Sequence, residues 1–291
     1  MEILSKIPCL IGEGPIWCEF DNKVWQVNGY GRNEIFGINL ESGETTLRKL
    51  SFGVAAMAFS QEGEMLISTL EGAFKLNPDG SRTPLYDTEK DEIKYGNDAK
   101  VGPDGRFYIG TQSSKRMGIG DKIDGKLYSI DKYGNVKILL DGLILSNGFD
   151  WSMDEKRLYH TDSDRGIIKE YLFDKELGEV TFSGREIAVE GVDGFTIDQN
   201  DRLYAACWGR GHIAVVDTKS MTIERYIEIP AKIPTSCGFA GENMDKLVIT
   251  TATLGADLEK DKNAGCTFIT DLNTKGRKPY LFGASDENFK P

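Results

Sequence analysis

The chain of 291 residues has only two histidines, His160 and His212, and five cysteines. The cysteines are odd in number and widely spaced, and they include no Cys-x-x-Cys pair, which disfavours a disulfide framework and a zinc site. The two histidines fall on separate predicted strands, so a histidine-dependent catalytic triad is hard to assemble. We expect all seven side chains to be structural, with the cysteines as reduced core thiols.

Long apolar runs and an excess of positive charge are also missing. Nowhere do 18 apolar residues follow one another, and the first ten residues carry Glu2 and Lys6, which argues against a membrane span or a secretory leader. The net charge is −11, so phosphate backbones and anionic lipid surfaces would be repelled. We expect a cytoplasmic protein with no nucleic-acid and no membrane partner.

A hairpin pattern recurs six times along the chain. It is clearest at 146–162, where an Asn-Gly step opens a short aromatic strand, a polar turn follows and a second strand returns. The six second strands begin at Val24, Met65, Phe107, Leu158, Leu203 and Leu247. A period in the forties built from short strands indicates propeller blades. The sequence predicts an all-β fold, a six-bladed β-propeller of four-stranded blades, as one domain over residues 1–291.

Each repeat also shares an internal register. The residue 10 or 11 positions before each second strand opens the first strand of its repeat. These residues are Glu13, Ala55, Asn97, Asn147, Asp193 and Ser236. Because the first strand of every propeller blade lines the central axis, equivalent positions converge there. Glu13, Asn97, Asn147 and Asp193 are therefore expected to meet, and their carboxylate and amide oxygens suit Ca²⁺ or a similar hard cation.

Neighbours of these positions lead to further expectations. The apolar residues 55–57 of the second repeat should form an uncharged wall of the pocket. Asp98 should point to the opposite strand face and act as a structural hydrogen bonder, since side chains alternate along a strand. Gly148 and Gly194 lack side chains, which would let the backbone approach a bound ion.

Two connections are unusually long for a propeller. The first runs from Gln112 to Gly125 and is rich in glycine and charge, and the second runs from Ala252 to Gly265. Loops of this length are typical of pocket lids or binding loops, although a solvated surface excursion is an equal alternative.

Four motifs stand in order at blade spacing. They are residues 12–17 (GEGPIW), 97–98 followed by 103–111 (PDGRFYIGT), 146–152 (SNGFDWS), and 192–194 (VDG) ahead of 203–207 (LYAAC). Together they resemble the gluconolactonase, regucalcin and senescence marker protein family, and the match spans nearly the whole chain.

The resemblance implies a propeller that binds one divalent cation and hydrolyses lactones of sugar acids. Glu13, Asn147 and Asp193 match the family's metal ligands, and Asn97 matches a residue that contacts substrate in some relatives and metal in others. Asp193 also matches the family's proposed general base. Ca²⁺ is the favoured ion, with Zn²⁺, Mn²⁺ and Mg²⁺ as alternatives.

The sequence departs from the family near the substrate. Tyr95 stands where many sugar lactonases have Arg, and Ala99 replaces a usual Gly. Asp121 aligns loosely with an acidic residue that contacts substrate. Tyr offers one hydroxyl and an apolar ring face where Arg offers a charged fork of donors. We therefore expect activity on less hydroxylated or more compact lactones at least comparable to that on a gluconolactone.

The chemistry of a lactonase fits these residues. A cation would polarise the lactone carbonyl and stabilise the charge that develops as water attacks. Asp193 would take the proton, because the amides of Asn97 and Asn147 cannot accept one. Two alternatives remain open: a metal-dependent phosphotriesterase of the squid diisopropylfluorophosphatase type, and a non-catalytic binding scaffold.

Overall fold

Antiparallel sheets make up almost all of the regular structure. The computed structural model describes residues 1–29 and 31–284, and these form six four-stranded sheets arranged as the blades of a β-propeller. The described part of the chain contains one helical element, the 3₁₀ turn Ser163–Arg165, and no helix there is long and apolar enough to cross a membrane. The predicted six-bladed all-β fold is confirmed. The predicted domain limits, 1–291, include residues outside the described part.

The strands follow one another in a regular order. In chain order they are β1 (Glu2–Ser5), β2 (Gly12–Cys18), β3 (Lys23–Asn28), β4 (Glu34–Asn39), β5 (Thr45–Lys49), β6 (Ala56–Phe59), β7 (Met65–Thr69), β8 (Gly72–Leu76), β9 (Arg82–Pro84), β10 (Gly96–Val101), β11 (Phe107–Thr111), β12 (Gly125–Ile130), β13 (Val136–Leu143), β14 (Ser146–Trp151), β15 (Arg157–Asp162), β16 (Ile167–Asp174), β17 (Glu179–Ala188), β18 (Val192–Ile197), β19 (Arg202–Cys207), β20 (His212–Asp217), β21 (Thr222–Glu228), β22 (Pro234–Ala240), β23 (Lys246–Thr251) and β24 (Thr267–Asp271).

Five blades use four consecutive strands each, beginning with β2, β6, β10, β14 and β18. The sixth blade runs β22, β23, β24 and then β1, so the N-terminal strand supplies its outermost member. Glu2 pairs with Ile269 and Ile3 with Phe268 in that contact. This pairing joins the two ends of the repeat array and closes the ring.

The burial of each strand follows from its place in the blade. The second strands β7 and β11 are buried at every residue, because neighbouring blades cover both faces of the sheet. The outer strand β17 instead alternates between exposed and partly buried residues, as expected when only one face meets a neighbour. All six second strands begin within one residue of their predicted starts.

Aromatic side chains fill the space between blades three and four. Tyr108 and Trp151 are both fully buried, and their ring centroids lie 4.8 Å apart in an edge-to-face arrangement. Phe173 adds a second edge-to-face contact, with its ring centroid 6.0 Å from that of Trp151. Each such pair contributes about 0.5–1.5 kcal/mol beyond the burial of its area.

The C-terminal segment lies across one end of the central channel. The guanidinium of Arg277 donates to the carboxylate of Asp150 over 2.7 Å and stacks 4.3 Å from the ring centroid of Tyr280. Lys100 donates to the same carboxylate over 3.1 Å. These groups line a small cavity of about 80 Å³. Asp150 is thus held between two cations, one of them supplied from outside the blades.

Candidate metal and active site

A one-residue irregularity marks the start of five of the six inner strands. In β14, Ser146 pairs with Asp162 and Phe149 pairs with His160, so three steps along β14 match two along β15. The same extra residue occurs in β2, β10, β18 and β22, whereas β6 pairs without a shift. A bulge of this kind re-aims side chains. It falls at or beside the position that was expected to face the axis.

Four of the side chains expected at the axis meet in one cavity. Glu13, Asn97, Asn147 and Asp193 come from blades one, three, four and five and line a cavity of about 460 Å³. Asn147 and Asp193 are buried, whereas Glu13 and Asn97 are partly exposed. We call these four residues the oxygen ring. Ser236 of the sixth blade lines the smaller cavity instead.

Hydrogen bonds tie the oxygen ring together across blades. The amide nitrogen of Asn147 donates to the carboxylate of Asp193, and that of Asn97 donates to the carbonyl oxygen of Ser146 over 3.1 Å. The carboxylate of Glu13 accepts a bond from the backbone N–H of Gly14 over 3.3 Å. A carboxamide that donates through its nitrogen presents its oxygen to other partners.

The two carboxylates of the oxygen ring lie close to like charge. Withdrawal from water raises the pKa of Glu13 well above its usual value, and the negative charges of Asp193 and Asp98 raise it further. Withdrawal from water also raises the pKa of Asp193, and the charge of Asp98 adds to this rise, while the hydrogen bond from Asn147 opposes it. Acids crowded in this way are destabilised as anions, and a bound cation would relieve that cost.

The donor set of the oxygen ring fits a hard divalent cation. It offers carboxylate and amide oxygens, which Ca²⁺ and related ions prefer, and neither imidazole nor thiolate. Residues 1–29 and 31–284 contain no group of three or more His, Cys, Asp and Glu side chains placed to hold a metal. An ion at this place would therefore depend on the amides as well as on Glu13 and Asp193.

The glycines that follow the ring residues serve blade packing. A Cβ added at Gly148 would lie 2.4 Å from the carbonyl oxygen of Asp193, and one at Gly194 would lie 2.2 Å from Oγ of Ser236. Neighbouring inner strands approach each other at these points, so a side chain does not fit. The structure thus gives these glycines a packing role, and the expected approach of their backbone to an ion stays a prediction.

Asp98 lies in the central channel, which corrects the expectation from strand alternation. It lines the smaller cavity, and its charge acts on Glu13 and Asp193. The bulge between Gly96 and Ala99 breaks the alternation at this residue. Its carboxylate also accepts the backbone N–H of Ala99 over 2.8 Å, so the expected structural hydrogen bond is present.

The first long loop forms part of the wall above the oxygen ring. Gln112, Arg116 and Met117 line the larger cavity. The loop is pinned at its base by Ser114, whose backbone N–H donates to Asp124 over 2.7 Å. The Nε of Arg116 lies 3.2 Å from a carboxylate oxygen of Asp164 in the next blade. The interpretation of this loop as part of a binding site is thus supported over a free surface excursion.

Other expected pocket residues lie elsewhere. Tyr95 and Asp121 are not among the residues that line the larger cavity, and Asp121 is exposed on the loop. Their contact with substrate stays a prediction. Residues 55–57 do not line it either, and Met57 lines the smaller cavity, so the uncharged wall predicted at this place is absent. The regular pairing of β6 carries no bulge that would turn these side chains toward the oxygen ring.

The sequence pattern did not single out two of the lining residues, Trp208 and Ser163. Trp208, Ser163 and Gln112 each follow the last residue of a second strand and line the larger cavity. Gln112 and Leu254 belong to the two long loops that were expected to border a pocket, and Leu254 lines the cavity too. The repeat register contains the signal that could have found the first three, because the position after each second strand lies at the same end of the channel as the oxygen ring.

The histidines and cysteines take no part in this site. His160 is buried, and its Nε2 lies 2.8 Å from Oγ of Ser146. Burial lowers the pKa of His160 to about 3, with the charge of Lys169 adding to this effect, so the ring stays neutral. All five cysteines are free and buried. The described residues therefore agree with the structural roles expected for these side chains.

The fold and the oxygen ring define a six-bladed propeller with a candidate cation site in its channel. Residues 11–253 match the model of the SMP-30/Gluconolactonase/LRE-like family. The chain belongs to this family, which confirms the resemblance seen in its motifs.

Named relatives cover nearly all of the chain. Regucalcin of Danio rerio is 29% identical over an alignment of 293 positions that covers 95% of this chain and 98% of the relative. A protein of Bacillus subtilis (strain 168), provisionally named sugar lactone lactonase YvrE, is 30% identical over an alignment of 283 positions that covers 94% of this chain and 95% of the relative. Among solved structures, a calcium-binding protein, regucalcin, of Agrobacterium tumefaciens superposes with a TM-score of 0.86 at 25% identity, covering 97% of both chains.

Proposed function

We propose that the protein is a divalent-cation-dependent hydrolase that opens the ester ring of a lactone. Sugar-acid lactones are the substrates with which others are to be compared, and Ca²⁺ is the proposed ion. The observation that carries the proposal is the convergence of Glu13, Asn97, Asn147 and Asp193 from four blades into one cavity. A scaffold has no need to bring two mutually repelling carboxylates together in a shared register. A cation site explains why they are together.

The residues of the oxygen ring divide the chemistry between them. A bound divalent cation supplies polarisation of the lactone carbonyl and charge stabilisation at its oxygen. Asp193 accepts the proton of the attacking water, because the amides of Asn97 and Asn147 have no basic site. Glu13 provides the second negative charge that holds the ion. Asn97 lies in the same cavity, where it can contact either ion or substrate.

Asn147 orients the proposed base. Its amide donates to one carboxylate oxygen of Asp193, which restricts rotation of the carboxylate and leaves the second oxygen to act on water. Positioning of this kind raises the rate, because the base is already oriented toward the reacting water and less entropy is lost in the reaction step.

The names of the relatives support both halves of the proposal. The Bacillus subtilis relative bears the provisional name of a sugar lactone lactonase. The Agrobacterium tumefaciens structure is described as a calcium-binding protein. We extend both descriptions to this chain on the strength of its own oxygen ring.

Proton release on a panel of compounds tests the proposal. The panel contains D-glucono-δ-lactone, unsubstituted lactones and an organophosphate triester, each with the native protein, with a chelator, and after Ca²⁺ is restored. We expect ring opening above the spontaneous rate, loss with the chelator and recovery with the ion. Turnover of the triester alone would favour the phosphotriesterase alternative, and no turnover under any condition would favour a binding scaffold.

A further inference from the structure

The larger cavity has two unlike sides above the oxygen ring. On the side of blades three and four, the polar lining residues are Asn97, Gln112, Arg116, Ser163 and Asp164, with Met117 and Leu145 beside them. On the side of blades five, six and one, the lining above Asp193 and Glu13 consists of Ile11, Gly191, Val192, Trp208 and Leu254. The side chains of the second side therefore offer carbon surface and a single indole N–H.

Trp208 is held firmly in this apolar wall. Its backbone N–H donates to the carbonyl oxygen of Gly191 over 2.7 Å. Gly191 has φ +71°, and a Cβ there would lie 2.6 Å from the carbonyl oxygen of Trp208, so only glycine suits the position. The indole packs against the buried cluster of Ile11, Ile233 and Ala252. The wall is thus a preformed surface.

Leu254 extends the same wall to the mouth of the cavity. Leu254 is 47% exposed, although it borders the cavity. Exposed leucines are common singly, but one that continues an apolar wall into a cavity presents a contact surface to a ligand. A cavity of about 460 Å³ also falls in the range of about 300–1,000 Å³ that accommodates ligands larger than a bare lactone ring.

Recognition of a sugar ring requires hydrogen-bonding groups, which the side chains of this apolar wall largely lack. Each hydroxyl of a bound sugar lactone loses its water and needs a hydrogen-bonding partner from the site. Carbon surface supplies none, so hydroxyls facing Ile11, Val192 and Leu254 would stay unpaired. A hydrocarbon substituent facing the same residues would instead leave water for an apolar wall.

We propose that the substrate class of this site is lactones that carry a hydrocarbon substituent, which lies against Trp208, Ile11 and Leu254 while the ester group faces the oxygen ring. This inference rests on the proposed lactonase function and specifies its substrate. Trp208 and Leu254 act as specificity-determining residues, and neither takes part in the bond-breaking step. The polar side of the cavity, with Arg116 and Asp164, then faces the oxygen atoms of the lactone and solvent.

Turnover of three lactones with the same ring size tests the inference. They are δ-decalactone with its alkyl chain, unsubstituted δ-valerolactone, and D-glucono-δ-lactone. We expect kcat/KM for δ-decalactone to exceed that for D-glucono-δ-lactone by about tenfold or more, because even one methylene group in a hydrophobic pocket is worth about tenfold or more in discrimination. Trp208→Ala should lower kcat/KM for δ-decalactone by about tenfold and leave δ-valerolactone within about threefold, and Trp208→Phe should restore most of the loss.

A binding measurement separates this inference from the reaction itself. The other three tryptophans are buried, so intrinsic fluorescence should report a ligand at Trp208. The lactam analogue of δ-decalactone, which resists hydrolysis, should change the fluorescence of the native protein, and unsubstituted 2-piperidone at the same concentration should not. The change should vanish in Trp208→Phe. Leu254→Ser, at an exposed residue, should weaken binding of the alkyl lactam without affecting folding.

The outcomes distinguish the two proposals. Binding of the alkyl lactam without hydrolysis of any lactone would contradict the proposed lactonase function. It would still support the apolar wall as the binding surface for a hydrocarbon substituent. Hydrolysis that favours D-glucono-δ-lactone, with Trp208→Ala lowering all three substrates equally, would overturn the inference and leave the lactonase function in place.

Discussion

The side-chain amide of Asn147 donates a hydrogen bond to the carboxylate of Asp193, which joins the inner strands of two neighbouring blades across 46 residues of sequence. Both residues lie beside a bulge in their strand. Gly148, the next residue, packs against the carbonyl oxygen of Asp193. The position of the proposed base therefore depends on the neighbouring blade, and the prediction for Gly148→Ala below rests on this dependence.

Removal of negative charge from the oxygen ring should weaken cation binding. Glu13→Gln keeps the shape and a ligand oxygen but loses a charge, so the affinity for Ca²⁺ should fall on the order of tenfold or more. Asp193→Ala should nearly abolish binding, because it removes both charge and oxygen atoms. Titration calorimetry with Ca²⁺ measures both.

Glu62→Gln serves as the control for these variants, because it makes the same substitution on an exposed turn. It should bind Ca²⁺ like the native protein. Unchanged affinity in both Glu13→Gln and Asp193→Ala would contradict the assignment of the ring.

Asp193→Asn should separate binding from catalysis. The asparagine keeps an oxygen for the ion but cannot accept a proton, so lactone hydrolysis should fall about a hundredfold or more at saturating Ca²⁺. Calorimetry should still detect the ion at reduced affinity. Glu13→Gln, measured at saturating Ca²⁺, should retain more activity, because it leaves the base in place. Near-native turnover of Asp193→Asn under these conditions would show that Asp193 is not the base.

Gly148→Ala should disturb the contact between blades four and five. The added methyl group would lie 2.4 Å from the carbonyl oxygen of Asp193 and 2.6 Å from Cδ1 of Phe195. Overpacking of this kind lowers the free energy of unfolding by about 1–3 kcal/mol, and the displaced Asp193 should bind Ca²⁺ more weakly. Urea denaturation and calorimetry measure the two effects.

Gly53→Ala is the matched control for this substitution. A Cβ at Gly53 meets its nearest atom, Oδ1 of Asn33, at 3.4 Å, which is an ordinary contact. Its stability should stay within about 0.5 kcal/mol of the native value. Equal losses in Gly53→Ala and Gly148→Ala would argue against a specific contact between the inner strands.

Acid should destabilise the protein through His160. Burial lowers its pKa to about 3 in the folded state, with the charge of Lys169 contributing, whereas the ordinary value is 6.5. The unfolded chain therefore binds a proton that the folded protein does not, and stability falls as the pH drops from 6.5 toward 3. The contribution of His160 to the free energy of unfolding should fall by about 2 kcal/mol between about pH 7 and pH 5. The raised pKa values of Glu13 and Asp193 act in the opposite direction over the same range, so the contribution of His160 is measured as the difference between the native protein and a variant.

Urea unfolding at the two pH values checks this contribution. His160→Gln has no titrating ring at this position. Between the two pH values, its free energy of unfolding should fall by about 2 kcal/mol less than that of the native protein. His212→Gln makes the same substitution at the other histidine and should keep the native loss, because His160 is still present. A native-like pH slope in His160→Gln would rule out His160 as the source.

Much of the fold could be read from local pattern. Six hairpins with a period in the forties predicted the blades, and the second strands begin within one residue of the expected positions. The register of polar residues also predicted which four side chains would share a cavity. These features were accessible because strand period and turn chemistry depend on near neighbours in sequence.

Other features of the fold could not be predicted from local sequence patterns. The closing strand β1 pairs with β24 from the far end of the chain, and Arg277 reaches Asp150 across 127 residues. Asp98 was expected to face away from the channel, and the bulge beside it altered its direction. Bulges and long-range closure depend on how whole blades pack, which no short segment specifies.

The sequence by itself determined the repeat, the number of blades and the identity of the oxygen ring, because these depend on periodic hydrophobicity and on residues that recur at equal spacing. Only the tertiary structure decided what surrounds the ring. Trp208 and Leu254 form its apolar wall, and Gly148 and Gly194 mark the close approach of neighbouring strands. The reason is physical: closing six twisted sheets into a ring sets which loops lie over the channel and how near the inner strands come.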